Sequence, residues 1–130
     1  MSVVPKDRED ILTKVSFGHV ATIGPNGEPQ VNPVWFEWDG EFLKFSQTTT
    51  RQKYRNVQRD PRIAISVLDP DNPYRYIEIR GRVERIEDDP DKAFINKMAK
   101  KYLGQDEYPW NRPDEHRVVV YVRPERTTKQ

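Results

Sequence analysis

The stretch covering residues 74–86 constrains the fold more than any other part of the chain. Along it Ile77, Ile79, Gly81 and Val83 alternate with Tyr76, Glu78, Arg80, Arg82 and Glu84. A period of two marks a β-strand with one dry and one wet face, the arrangement of an antiparallel sheet covered on one side. Gly81 in its middle signals a bend or bulge of the kind a closing barrel requires.

The other strands follow from punctuation. Residues 17–23 read as a strand ended by the turn signal Gly24-Pro25-Asn26-Gly27, and residues 29–38 as a second. Pro33 cannot donate to a ladder, so Asn32-Pro33 reads as a bulge or an edge position. Asp39-Gly40 is a tight hairpin turn into a third strand over 41–46. Residues 62–68 alternate Ile63, Ile65 and Val67 with Ala64, Ser66 and Leu68, and residues 118–122 form the last strand. Helices are expected over 5–15, from the Thr48-Thr49-Thr50 run to about Arg59, and over 89–102. These elements do not alternate regularly enough for a doubly wound fold. The expected fold is mainly β (α+β): a six-stranded antiparallel barrel with three peripheral helices. It forms one domain over 1–130, with its core in about 10–123 and a polar, frayed tail over 124–130.

Charge order singles out the middle helix. Helix N-termini carry partial positive charge and favour acids in the first turn. The helix over 5–15 opens with Asp7, Glu9 and Asp10. The one over 89–102 opens with Asp89, Pro90 and Asp91 and closes with Lys100, Lys101 and Gly104. The middle helix instead follows its threonines, expected as the cap, with Arg51, Lys53 and Arg55 and has no acid before Asp60. Arg51 and Arg55 are also i,i+4 like charges. A bound anion relieves both conflicts, and phosphate is the natural one. A solvated basic turn after a threonine run is the other reading.

Composition narrows the functional classes. A net charge of +1 argues against a dedicated nucleic-acid domain. No apolar run approaches the ~18 residues of a membrane span, and the mixed-charge opening does not read as a signal peptide, so a cytoplasmic protein is expected. With no cysteine there is no thiol nucleophile and no thiolate metal site. His19 and His116 lack partners at metal spacing, so no metal is expected. Asp69-Pro70-Asp71-Asn72 fails as a calcium loop, because Tyr74 stands at its sixth position and Arg80 at its twelfth. No dinucleotide fingerprint, P-loop or nucleophile elbow occurs. Enzymatic reactivity, if present, comes from a cofactor.

The run Gly18-His19-Val20-Ala21-Thr22-Ile23-Gly24, followed by Gly27, Pro29, Val31 and Pro33-Val34-Trp35, resembles the first hairpin of the pyridoxamine 5'-phosphate oxidase-like split barrels. Thr50-Arg51-Gln52-Lys53 with Arg55-Asn56-Val57 resembles that superfamily's phosphate-binding helix start. Asp60-Pro61-Arg62 and the segment from Tyr74 to Gly81 complete a match over residues 10 to about 123. The small size and the basic helix are most similar to the branch that binds coenzyme F420, a deazaflavin. The resemblance implies a split barrel and a homodimer with cofactor sites at its interface. It places the cofactor phosphate at Ser46, Gln47, Thr50, Arg51 and Lys53, and the ring system at Asn32, Pro33 and Val34. Tyr74 and Tyr76 would come from the partner subunit, with Tyr74 the candidate proton donor. Arg55, Arg59 and Arg75 are candidates for extra basic contacts. No equivalent of the oxidase's C-terminal substrate segment is recognisable after Val122, so oxidation of pyridoxamine phosphate is not expected.

The resemblance implies an oxidoreductase that passes hydride from reduced F420 to a small conjugated or unsaturated molecule. The alternatives are a flavin reductase or oxidase using flavin mononucleotide (FMN), and a non-catalytic carrier of either cofactor. No nucleic-acid or membrane partner is expected.

Overall fold

Trp35 is the point at which the sheet becomes a barrel. The expected second strand is two: β2 (Pro29–Val34) pairs with β1 (Gly18–Ile23), whereas β3 (Phe36–Trp38) pairs with β4 (Leu43–Thr48). The remaining strands are β5 (Arg62–Asp69), β6 (Asn72–Asp88) and β7 (Arg117–Lys129), in the sheet order β2-β1-β5-β6-β7-β4-β3. The two edge strands of this seven-stranded antiparallel sheet are therefore separated in sequence by Trp35 alone. The sheet must curl until its edges meet, and because those edges do not pair, the barrel is split along that seam. Strand propensity continues through Trp35, so the break is set by topology rather than by local sequence. The structure, a computed structural model, describes residues 3–129.

Tyr102 holds the crossing. Its hydroxyl accepts from the Phe36 amide at 3.1 Å and donates to the Ser16 carbonyl at 2.6 Å, while its ring stacks on Trp35 with centroids 5.1 Å apart. Inside the barrel lie Val20, Phe36, Leu43, Phe45, Ile65, Ile77, Ile79, Val118, Val120 and Val122, all buried. Each contributes about 1.5–3 kcal/mol by leaving water.

Three local expectations are corrected. The polar tail is the second half of β7: Lys129, Thr128, Thr127 and Arg126 stand opposite Ile77, Glu78, Ile79 and Arg80. Backbone pairing needs no apolar pattern, and Thr128 adds a 2.9 Å bond to Glu78. The first helix, α1 (Glu9–Thr13), is shorter than expected. Asp10 forms a salt bridge with Arg75, and Asp7 one with Lys129, so tertiary contacts rather than helical turns hold this end. The helix expected from Asp89 begins later, as α3 (Ala93–Leu103), after a left-handed Lys92 at φ 59°. Asp89 still serves its N-terminus from a distance, accepting from the amides of Phe94 and Ile95. Gly104 closes α3 at φ 72°, as expected.

Gly81 lies at a register shift between β6 and β7. A Cβ there would stand 2.1 Å from the carbonyl oxygen of Arg123. The bend expected from the sequence is a close approach of two backbones.

Candidate functional site

β4 ends at Thr48, and the chain turns into α2 (Gln52–Arg59) with Arg51 as its N-cap. Among the described residues no side chain caps the helix: its N-cap position falls on Arg51, just past the threonine run, and the hydroxyls of Thr48 and Thr50 meet each other at 3.4 Å. The threonine run is thus not the expected cap. With Val57 its only aliphatic residue, α2 needs another anchor, and buried Asn56 supplies it. The Asn56 amide donates to Thr22 Oγ1 and Gln30 Oε1, each at 3.0 Å, and its oxygen accepts from Gln52 at 2.8 Å. This fixes the rotation of α2 and sends Lys53, one turn earlier on the same face, inward.

Lys53 is only 8% exposed. Its ammonium lies 5.9 Å from the Phe45 ring centroid, and among the described residues no carboxylate pairs with it. Burial, with the Arg51 charge beside it, holds its pKa down to about 8. A buried ammonium without a counter-charge is costly, and proteins ordinarily pair such groups.

The group faces a cavity of about 660 Å³ at the seam of the barrel, a volume typical of small-ligand sites. One wall is Arg51, Gln52 and Lys53, a second Ser46, Gln47 and Thr48 of β4, and a third Asn32, Pro33 and Val34 of β2. Ile95 and Met98 of α3 and the rings of Phe17, Trp35 and Tyr108 supply apolar surface. Among the described residues no carboxylate lines it.

The structure thus brings Asn32, Pro33, Val34, Ser46, Gln47, Arg51 and Lys53 around one space. Thr50 is exposed and does not line it. Tyr74, 84% exposed, and Tyr76 lie on β6 and do not line this chain's own cavity. Of the extra bases, Arg55 donates to the Thr50 carbonyl and Arg59 to that of Ile23. Arg75 is committed to Asp10 and Asp69, the latter bridge at 2.9 Å. Asp69 also accepts from Lys14 and from the Asp71 amide, so the calcium-like segment is an ion-paired turn.

Sequence reasoning missed Arg117, the first residue of β7. Buried at 9% exposure, it donates to Ser46 Oγ at 3.2 Å, lies 4.8 Å from the Tyr108 ring centroid, and has no acceptor for its Nε–H among the described residues. Its partner Glu115 stands at 3.5 Å. A single arginine before an apolar strand carries no local conflict, so no sequence signal marked it.

The low pKa of Lys53 gives two opposite pH dependences. In the unfolded chain Lys53 titrates near 10.5, so between about 8 and 10.5 the unfolded state binds more protons and the ligand-free protein gains stability from this group as pH rises. An anion held at Lys53 binds best below about 8 and loses affinity above it, as the free site gives up its proton. Thermal melts and anion titrations across that window check both signs. A Lys53→Met variant is expected to show neither trend from this position.

Residues 4–130 match the family model described as pyridoxamine 5'-phosphate oxidase. A solved structure named F420 reductase is 49% identical, with 98% of this chain and 100% of that chain covered and a TM-score of 0.88. The protein Rv2991 from Mycobacterium tuberculosis shares the fold at 24% identity, covering 98% of this chain and 86% of that one, with a TM-score of 0.72. General Stress Protein 26 from Bacillus anthracis does so at 20% identity, covering 93% and 88%, with a TM-score of 0.68.

Proposed function

This chain belongs to the pyridoxamine 5'-phosphate oxidase family, and on that premise we propose that it is an oxidoreductase that uses coenzyme F420. Its reaction is hydride transfer from the reduced cofactor to a small conjugated or unsaturated organic acceptor. The similarity to a protein named F420 reductase supports the deazaflavin over FMN. The observation that carries the reading is Lys53, whose side chain is buried and whose ammonium opens on a ligand-sized cavity with, among the described residues, no carboxylate beside it. An anionic cofactor fits this vacancy of charge, and the phosphate of either cofactor is such an anion.

When bound, reduced F420 supplies the hydride, and every other requirement falls to the chain. Lys53 and Arg51 hold the phosphate, helped by the uncapped first-turn N–H groups of α2. Ser46 and Gln47 extend the polar wall, and Asn32, Pro33 and Val34 flank the ring system. Ile95, Met98 and Trp35 keep water from the reacting face. The proton that completes reduction comes from solvent or from a tyrosine of a second copy. In this reading the working unit is a homodimer, and Tyr74, exposed near the β5–β6 turn, and the half-buried Tyr76 of each copy reach the cavity of the other.

The test is oxidation of reduced F420, followed by absorbance, with a panel of conjugated acceptors. Turnover is expected, with a rate per chain that falls on dilution through the dimer's dissociation range. Tight binding without turnover on any acceptor would make the protein a carrier. A rate per chain independent of dilution would remove Tyr74 and Tyr76 from the site.

A further inference from the structure

The outer face of the sheet carries a second feature, away from the cofactor cavity. Register sets Ala21 of β1 opposite Val31 of β2 on one side and Ala64 of β5 on the other, and Ile23 opposite Pro29. This corner is apolar, with alanine at two adjacent positions. Next to it the ladder places like charges face to face: Arg62 opposite Arg82, Arg82 opposite Arg123, and Arg80 opposite Arg126. Like charges directly across strands destabilise a sheet.

Most of these arginines are locally answered. Asp60 holds Arg62 at 2.7 Å, Glu78 meets Arg80 at 3.2 Å, and Glu84 takes Arg123 at 2.6 Å. The side chains of Arg82 and Arg126 have no hydrogen bond or ion pair among the described residues and are exposed. At the seam between the apolar corner and the arginines lies a hollow of about 380 Å³, floored by Ala21, Ile23, Pro29 and Ala64 and rimmed by Arg62, Arg80, Arg82 and Arg126. Among the described residues Glu125 is the one carboxylate on its rim.

We propose that this hollow binds an amphipathic anion: a free, unbranched carboxylate of medium chain length. Ala21 and Ala64 leave room for the alkyl stem, Ile23 and Pro29 give it apolar contact, and the two unanswered guanidiniums supply the complementary charge for its head. A bound carboxylate reverses the repulsion across β6 and β7 that the ladder otherwise carries.

The experiment titrates the full chain with cis-parinaric acid, whose fluorescence rises in an apolar site, and displaces it with decanoate. One saturable site per chain is expected. The double variant Arg82→Gln/Arg126→Gln weakens binding about tenfold or more, as expected for lost charge-assisted hydrogen bonds. The same variant melts higher than the parent protein at low salt without ligand, because the repulsion is gone. Ala64→Trp fills the hollow on an outward-facing position and abolishes binding, whereas Lys53→Glu leaves it unchanged. The proposal falls if no saturable binding is seen, if both surface variants bind like the parent, or if Lys53→Glu removes the site. It also falls if the parent is a dimer that excludes the probe and Ala64→Trp splits it, since the face is then a seam between copies.

Discussion

Lys53→Glu is expected to weaken cofactor binding by ~100-fold or more while leaving the barrel folded. In the proposed site the substitution would remove the charge-assisted hydrogen bond from Lys53 to the cofactor phosphate, worth about 1.5–3 kcal/mol, and set a carboxylate against that anion. The fold is expected to survive because Lys53 already sits buried without a counter-charge, so the ligand-free protein draws little stability from its ammonium. A glutamate there can pair with the neighbouring Arg51. Lys53→Met separates the two effects: it weakens binding, yet raises the melting temperature of the ligand-free protein at neutral pH by removing an unpaired buried charge. Fluorescence titration and thermal melts read both. Normal binding by Lys53→Glu would mean that the phosphate lies elsewhere.

The largest effect on stability is expected at Gly81. Gly81→Ala places a methyl 2.1 Å from the Arg123 carbonyl oxygen, and the obstacle is backbone, which cannot swing aside like a side-chain end. Either the β6–β7 ladder parts at its register shift or the tail half of β7 detaches, costing ~3 kcal/mol. Urea unfolding measures the loss, and hydrogen exchange at residues 124–129 locates it. An unchanged midpoint would show that the bulge has slack that its geometry denies.

Much of this architecture is legible in the chain. The alternation through β6 and β5, the Asp39-Gly40 hairpin and the Gly104 helix stop are local codes, and each appears where its chemistry requires. The basic start of α2 is legible for a different reason, since its charge order conflicts with helix electrostatics and the structure offers no internal relief. What stayed hidden depends on distant partners. Nothing around Trp35 breaks a strand; the break exists because the edges of one sheet must meet there. The end of β7 lacks an apolar period because it is recruited by the free edge of β6 through backbone bonds. Arg117 looks like an ordinary strand-flanking base until Ser46 and Tyr108 are brought to it from far along the chain. The threonines fail as caps because the helix starts beyond them, with Arg51 at its N-cap position.

We propose that the cavity at Lys53 is a binding site for F420. The most direct measurement is a parallel fluorescence titration of the purified, ligand-free protein with F420 and with FMN at neutral pH. Saturable F420 binding is expected, with FMN at least about tenfold weaker, a gap of about 1.4 kcal/mol. Equal or tighter binding of FMN, or binding of neither, would contradict it.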